Sequence, residues 1–134
     1  MDNKLKITIV TPGSQPLVFE GNGLITSTTD GRIEFKSNHA PIIISTVPAT
    51  TTISTENGNE ILFTSSGIVY INNNELKFCC DAAEKSLDID EARAVSAKER
   101  AEKRLEQGKD VDVERAKRAL ARANARINTI SIND

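Results

Sequence analysis

All five aromatic residues of this chain, Phe19, Phe35, Phe63, Tyr70 and Phe78, fall before residue 81, so any sizeable apolar core has to be built from the N-terminal part. That part consists of short β-rich runs broken by turn residues. Residues 5–10 form the first run and Thr11-Pro12-Gly13 stops it. Further runs cover residues 16–20, 23–28, 32–35, 42–46, 50–55, 60–65, 67–71 and 75–80, separated by Gly, Asn, Pro or Asp. Short strands at regular spacing are the pattern of a sandwich. Asn57-Gly58 and Asn72-Asn73-Asn74 tolerate the positive φ that tight hairpin turns demand, so both are read as antiparallel hairpin turns.

Beyond residue 81 the β-branched residues thin out and Ala, Glu, Lys and Arg take over, the residues that lose least side-chain freedom in a helix. The fold class this predicts is mainly β plus α. An N-terminal antiparallel β-sandwich over residues 1–83 is followed by a C-terminal two-helix antiparallel hairpin over residues 84–134. The first helix should be capped by Asp88 or Asp90 and end at Glu106 or Gln107, before Gly108. The second should be capped by Asp110 or Asp112 and run to about Asn128. Its apolar stripe would be Val113, Ala116, Leu120, Ala123 and Ile127, facing Ala94, Ala97, Ala101 and Leu105 of the first helix. Burying a large aliphatic side chain is worth about 1.5–3 kcal/mol and an Ala methyl much less, so the hairpin should be only marginally stable by itself and able to separate.

Charge is distributed unevenly. The net charge of -2 points to no polyionic partner, yet seven of the eight arginines lie between residues 93 and 126. Arg115, Arg118, Arg122 and Arg126 are three or four residues apart, which puts four guanidinium groups on roughly one helix face. Arg93, Arg100 and Arg104 do the same on the first helix. Like charges at this spacing repel by a few tenths of a kcal/mol per pair, and an anion or an acidic partner surface would relieve them. Solvation of the face, with partial neutralisation by Glu114, Glu99 and Glu102, is the plainer alternative.

Several function classes fit poorly. The helical part has no aromatic residue and carries ten acidic residues over 84–126, which argues against nucleic acid, whose binding would lean on phosphate contacts and base stacking. No Gly-rich phosphate loop with its lysine is present, so nucleotide hydrolysis is not indicated. Cys79 and Cys80 are adjacent and read as space-filling thiols, with neither the ligand spacing of a zinc site nor an activating base. No apolar run approaches the roughly 20 residues needed to cross a bilayer, and the start lacks the apolar stretch of a signal peptide, so the expected location is the cytoplasm.

Ala82-Ala83-Glu84, followed by Ile89-Asp90-Glu91-Ala92-Arg93-Ala94, resembles the epsilon subunit of bacterial F-type ATP synthases, whose nucleotide-binding signature has the form Ile/Leu-Asp-x-x-Arg-Ala. The resemblance covers essentially the whole chain through Val10-Thr11-Pro12, His39-Ala40-Pro41, Ser66-Gly67 and the helix around Lys98-Glu99-Arg100-Ala101. It departs where the family carries a Gly-Ile-Leu-Pro-Gly-His type loop. Here that stretch is Glu34-Phe35-Lys36-Ser37-Asn38-His39, with Gly31 retained and Asn38 able to stand in for glycine.

The resemblance implies a non-catalytic rotor subunit with no catalytic residue, no metal and no required cofactor. Its sandwich would bind the gamma subunit and the c-ring, with Arg32 and His39 toward the ring. Its hairpin would either fold on the sandwich or extend along gamma and block hydrolysis, with Arg115, Arg118, Arg122 and Arg126 meeting the alpha and beta subunits of the catalytic head. ATP would be a regulatory ligand of the folded form, touched by Glu84, Ile89, Asp90, Arg93, Arg100, Arg122 and Arg126. The implied place is the cytoplasmic face of the bacterial inner membrane, reached only through the complex. A purely structural assembly subunit, neither inhibitory nor nucleotide-binding, is the alternative.

Overall fold

The computed structural model describes residues 4–108 and 112–132. Ten strands precede two helices: β1 (Leu5–Val10), β2 (Leu17–Gly21), β3 (Gly23–Thr28), β4 (Gly31–Lys36), β5 (Ile42–Thr46), β6 (Ala49–Thr55), β7 (Gly58–Thr64), β8 (Gly67–Asn72), β9 (Glu75–Cys80), β10 (Ala83–Lys85), α1 (Glu91–Gln107) and α2 (Val113–Ile132). A single 3-10 turn, Ser86–Asp88, joins β10 to α1. The strands make two five-stranded sheets, ordered β2-β1-β9-β8-β5 and β10-β7-β6-β3-β4. Asn73 and Asn74 take φ of 51° and 61° and Gly58 takes 109°, as the two hairpin turns require.

One pairing departs from the antiparallel expectation. β1 runs parallel to β9, with Lys6 opposite Glu75 and Val10 opposite Cys79. β1 already spends its outer side on the β2 hairpin, and β9 arrives with its direction fixed by antiparallel pairing to β8. β10 is the strand that the composition shift hides. Its three residues, too short to show a period, pair with β7 and carry that sheet to Lys85.

The core lies between the sheets. Leu5, Ile7 and Ile9 alternate inward from β1, Leu76 and Phe78 from β9, and Leu24, Phe35, Ile53 and Leu62 from the opposite sheet. Three threonine hydroxyls are buried with them and satisfy one another, Thr26 to Thr51 at 2.9 Å and Thr51 to Thr64 at 2.7 Å. Aromatic content overstates this core, because only Phe35 and Phe78 are fully inside it. Phe19 packs at its margin, and Tyr70 is exposed. Leu62 points inward, so Phe63 next to it must point outward. The ring is nevertheless completely buried, because α2 covers it.

Asp90 caps α1 by accepting the Arg93 amide, and Gly108 ends it at φ +67°, where a side chain would be strained. Asp112 caps α2 through the Arg115 amide, and Asp110 lies outside the described residues. α2 runs to Ile132 rather than stopping near Asn128. Thr129 and Ser131 return their hydroxyls to the carbonyls of Ala125 and Ile127, at 2.7 and 3.1 Å, and stay helical. Packing on β6 and β7 overrides the poor helix propensity of this tail.

A chain ending at Lys85 should therefore melt in one cooperative step, because its inter-sheet core needs neither helix. Phe63→Ser should leave the melting temperature of that short chain nearly unchanged while destabilising the full chain by as much as about 3 kcal/mol, since only there is the ring covered. Circular dichroism melts of the four proteins check this. Equal losses in both lengths would place Phe63 in the sandwich core instead.

Candidate functional site

α2 packs on β6 and β7 of the sheet that ends in β10, α1 lies against α2, and a cleft of about 610 Å³ opens between the two helices. Its floor is made of small residues, including Ala94, Ala97 and Ala101 from α1 and Ala116, Ala119 and Ala123 from α2. Bulkier side chains here would fill the space, so the thin helix interface and the cleft have one origin. Above the floor, six arginines line the walls against three carboxylates, Glu84, Asp88 and Asp90.

Helical periodicity sets this arrangement. Arg93, Arg100 and Arg104 on α1, and Arg115, Arg122 and Arg126 on α2, each repeat at seven and four residues, which returns to nearly the same helix face. Arg118 is rotated off that face, does not line the cleft and is exposed. The four arginines expected on one face of α2 therefore divide into three that face the cleft and one that does not. From Arg93 to Arg104 the row extends about 16 Å along the helix axis. The carboxylates come from β10 (Glu84), the 3-10 turn (Asp88) and the N-cap of α1 (Asp90).

Arg126 is the most constrained of the arginines. Its Nε donates to Glu84 Oε1 at 2.7 Å, and its guanidinium lies over the Phe63 ring at 4.2 Å from the centroid. The strand register explains the cluster, because Glu84 stands directly opposite Phe63. The two charged side chains are 27 % and 34 % exposed, so their pair contributes on the order of 1 kcal/mol, with the cation–π contact adding a similar amount. Of the four arginines on α2, Arg122 and Arg126 are half-buried in this arrangement and Arg115 and Arg118 are exposed.

All seven residues expected to touch a nucleotide, Glu84, Ile89, Asp90, Arg93, Arg100, Arg122 and Arg126, line this one cleft. Arg104, Arg115 and Asp88 line it as well. For Arg104 the spacing signal was already visible, whereas Asp88 shows no periodicity because it sits in the 3-10 turn. Arg32 and His39 are not brought together. Arg32 is exposed beside the β3–β4 turn, and His39 lies past the other end of β4, where it packs against Phe35 with ring centroids 5.5 Å apart. The His39 Nδ1 is 2.6 Å from the Ala40 carbonyl and carries the proton, since a carbonyl only accepts. The two residues therefore lie near opposite ends of β4.

Residues 4–86 match the family model described as ATP synthase, Delta/Epsilon chain, beta-sandwich domain, and residues 88–131 match the one described as ATP synthase, Delta/Epsilon chain, long alpha-helix domain. The chain belongs to the ATP synthase delta/epsilon family. Family relatives named ATP synthase epsilon chain include one from Clostridium kluyveri, 43 % identical over 97 % of this chain and 99 % of that one. Another, from Clostridium novyi, is 41 % identical over 97 % of this chain and 100 % of its own length. Among solved structures, a chain of the Euglena gracilis mitochondrial ATP synthase assembly of OSCP, F1 and c-ring superposes with a TM-score of 0.82 at 14 % identity, covering 93 % of this chain and 80 % of that one. A chain of the Tetrahymena thermophila central stalk and c-ring gives 0.58 at 15 % identity, over 97 % and 96 %. At such identities the structural likeness concerns the fold alone, and the sandwich followed by helices is that fold.

Among the described residues no group of three His, Cys, Asp or Glu side chains is placed to hold a metal ion, and no helix is long and apolar enough to cross a membrane. The adjacent thiols point to opposite faces of β9, with Cys79 exposed and Cys80 buried. Burial, followed by the nearby charges of Asp81 and Cys79, pushes the Cys80 thiol up to about 11. Because the native state holds this proton more tightly, stability is intact below the ordinary thiol value of 9.0 and declines as pH rises from there toward 11.

Iodoacetamide at pH 8 should consequently label Cys79 while Cys80 resists, since the thiolate is the reacting form. Peptide mass mapping of the native chain reads the difference. Equal labelling of both thiols before unfolding would contradict the orientation of β9.

Proposed function

We propose that this chain is the non-catalytic epsilon-type subunit of an F-type ATP synthase central stalk, and that its helical hairpin is an ATP-sensitive brake on hydrolysis. The relatives' names and the assemblies that yield the structural neighbours support the first part. In this reading the sandwich contacts the gamma subunit and the c-ring, so the chain reaches the cytoplasmic face of the membrane only through the complex. Alpha and beta subunits would meet the hairpin when it is extended.

The observation that carries the second part is the cleft, with carboxylates at one end and a two-sided row of guanidinium groups along its length. That polarity fits a nucleoside triphosphate. Glu84, Asp88 and Asp90 can accept from base amino and ribose hydroxyl groups, while Arg93, Arg100, Arg122 and Arg126 offer forked donors to phosphate oxygens. Guanidinium stays charged at any physiological pH, so the repulsion within the row persists until an anion enters. A bound triphosphate touching both helices would favour the closed hairpin by its differential affinity for that state. With ATP scarce, the hairpin would open and turn Arg115, Arg118, Arg122 and Arg126 toward the catalytic head.

Calorimetry of the purified chain with millimolar ATP tests the ligand directly. At about 100 times its dissociation constant, ATP should add roughly 2.7 kcal/mol to the stability of the bound form. Arg93→Ala should weaken binding by about tenfold or more through loss of charge-assisted hydrogen bonds. No heat and no melting shift would leave the cleft without its proposed ligand and favour the purely structural reading.

Inhibition has a separable test in the assembled complex, because Arg118 lies outside the cleft. Arg118→Ala should raise ATP hydrolysis while leaving ATP affinity of the isolated subunit unchanged. Unchanged hydrolysis for Arg118→Ala and for the fourfold change at Arg115, Arg118, Arg122 and Arg126, with assembly verified, would remove the braking role.

A further inference from the structure

The contact that seats α2 on the sandwich includes a buried polar pair. Thr50 on the outer face of β6 is 5 % exposed and Thr129 on α2 is fully buried. Their hydroxyl oxygens are 2.8 Å apart, and Asn128 Nδ2 is 2.9 Å from Thr50 Oγ1. Each hydroxyl has one proton, which fixes the direction of the chain of bonds. Thr129 gives its proton to the Ala125 carbonyl at 2.7 Å. Thr50 must therefore donate to Thr129 and accept from Asn128.

A hydroxyl pair contributes much less to docking than apolar side chains of the same shape would. On separation water replaces both partners, so the net value of each bond is small, whereas removing one partner leaves the other buried and unsatisfied. Valine has nearly the shape of threonine, and either residue suits a strand or this helix position comparably. Apolar packing was thus available at this place, and a self-satisfied polar pair stands there instead.

We propose that the Thr50–Thr129 hydroxyl pair, extended by Asn128, is a latch that holds α2 on the sheet and keeps the arginine cleft closed, with a strength low enough for release. Thr50 and Thr129 are positioning residues. Thr129 lies one turn beyond Ala125 and Arg126, so seating it fixes the height at which Arg126 meets Glu84 and Phe63. The link from latch to brake rests on the proposed function of the hairpin, whereas the latch itself concerns only docking.

Amide hydrogen exchange of α2 in the full chain tests it, with the strands β1 and β9 as internal reference. Thr129→Val should speed exchange in α2 roughly three- to tenfold, by leaving the Thr50 hydroxyl without its acceptor, and should not alter the reference strands. Thr129→Ser, which keeps the hydroxyl, should stay near the wild type. The double change Thr50→Val with Thr129→Val should reverse the effect, returning exchange to the wild-type rate or below it. Unchanged exchange in Thr129→Val, or a double variant as loose as the two single changes combined, would overturn the latch. Hydrolysis by the assembled complex then separates the two ideas. If exchange follows this order and hydrolysis does not, the latch stands and the brake fails.

Discussion

Phe63 projects from the outer face of its sheet, where an uncovered ring would meet water, and the position of α2 follows from covering it. Strand alternation leaves no alternative, since Leu62 already points into the core. The same register sets Glu84 opposite Phe63 on β10. One point on the sheet thus offers an apolar surface and a carboxylate together, and an arginine is the side chain that satisfies both. Arg126 does so, lying over the ring while donating to Glu84. Once Arg126 is seated, helical periodicity brings Arg122 and Arg115 to the same side and points them across the alanine floor at the arginines of α1.

The result is a cleft whose charge is unbalanced by construction of the fold. Of the arginines that line it, Arg126 is paired with a carboxylate, that of Glu84, and Glu84, Asp88 and Asp90 come from the short stretch between β10 and the start of α1. Larger residues at Ala97, Ala119 or Ala123 would bring more apolar burial to the hairpin and would close the space. Small residues keep the helices weakly joined and keep the space open. Weak joining and an open, arginine-lined cleft are therefore two consequences of one sequence choice, and under the proposed function a ligand that bridges the helices would shift the hairpin toward closure.

The sequence made the strands and both helices readable because their periods differ and their ends carry strong local signals. Asp90, Gly108 and Asp112 act as caps for reasons visible in residue type alone. Three features were not readable. The parallel β1–β9 pair depends on which strand edge remains open after both hairpins have formed. β10 is too short to show alternation and is defined only by its partner β7. Thr129 and Ser131 sit in a β-branched tail that local propensity ends early, and only burial of Thr129 against Thr50 explains why the helix continues. In the cleft the arginines were legible from spacing, Ile89 and Asp90 from the family signature, and Glu84 from the wider family resemblance. The departure of Arg118 from the shared face follows from its three-residue offset from Arg115, and Phe63 could be placed under α2 only once the strand register was known.

Docking of α2 through Phe63 is the contact on which the cleft depends. Nuclear Overhauser spectroscopy of the isolated full chain measures it directly, through cross-peaks from the Phe63 ring protons to the Arg126 side chain and the Thr129 methyl group. These cross-peaks should be present and should strengthen as ATP is added, while signals of Ile43 and Tyr70 on the other sheet stay in place. A Phe63 ring with contacts only to its own sheet, at every ATP concentration, would contradict the docked arrangement and with it the closed cleft.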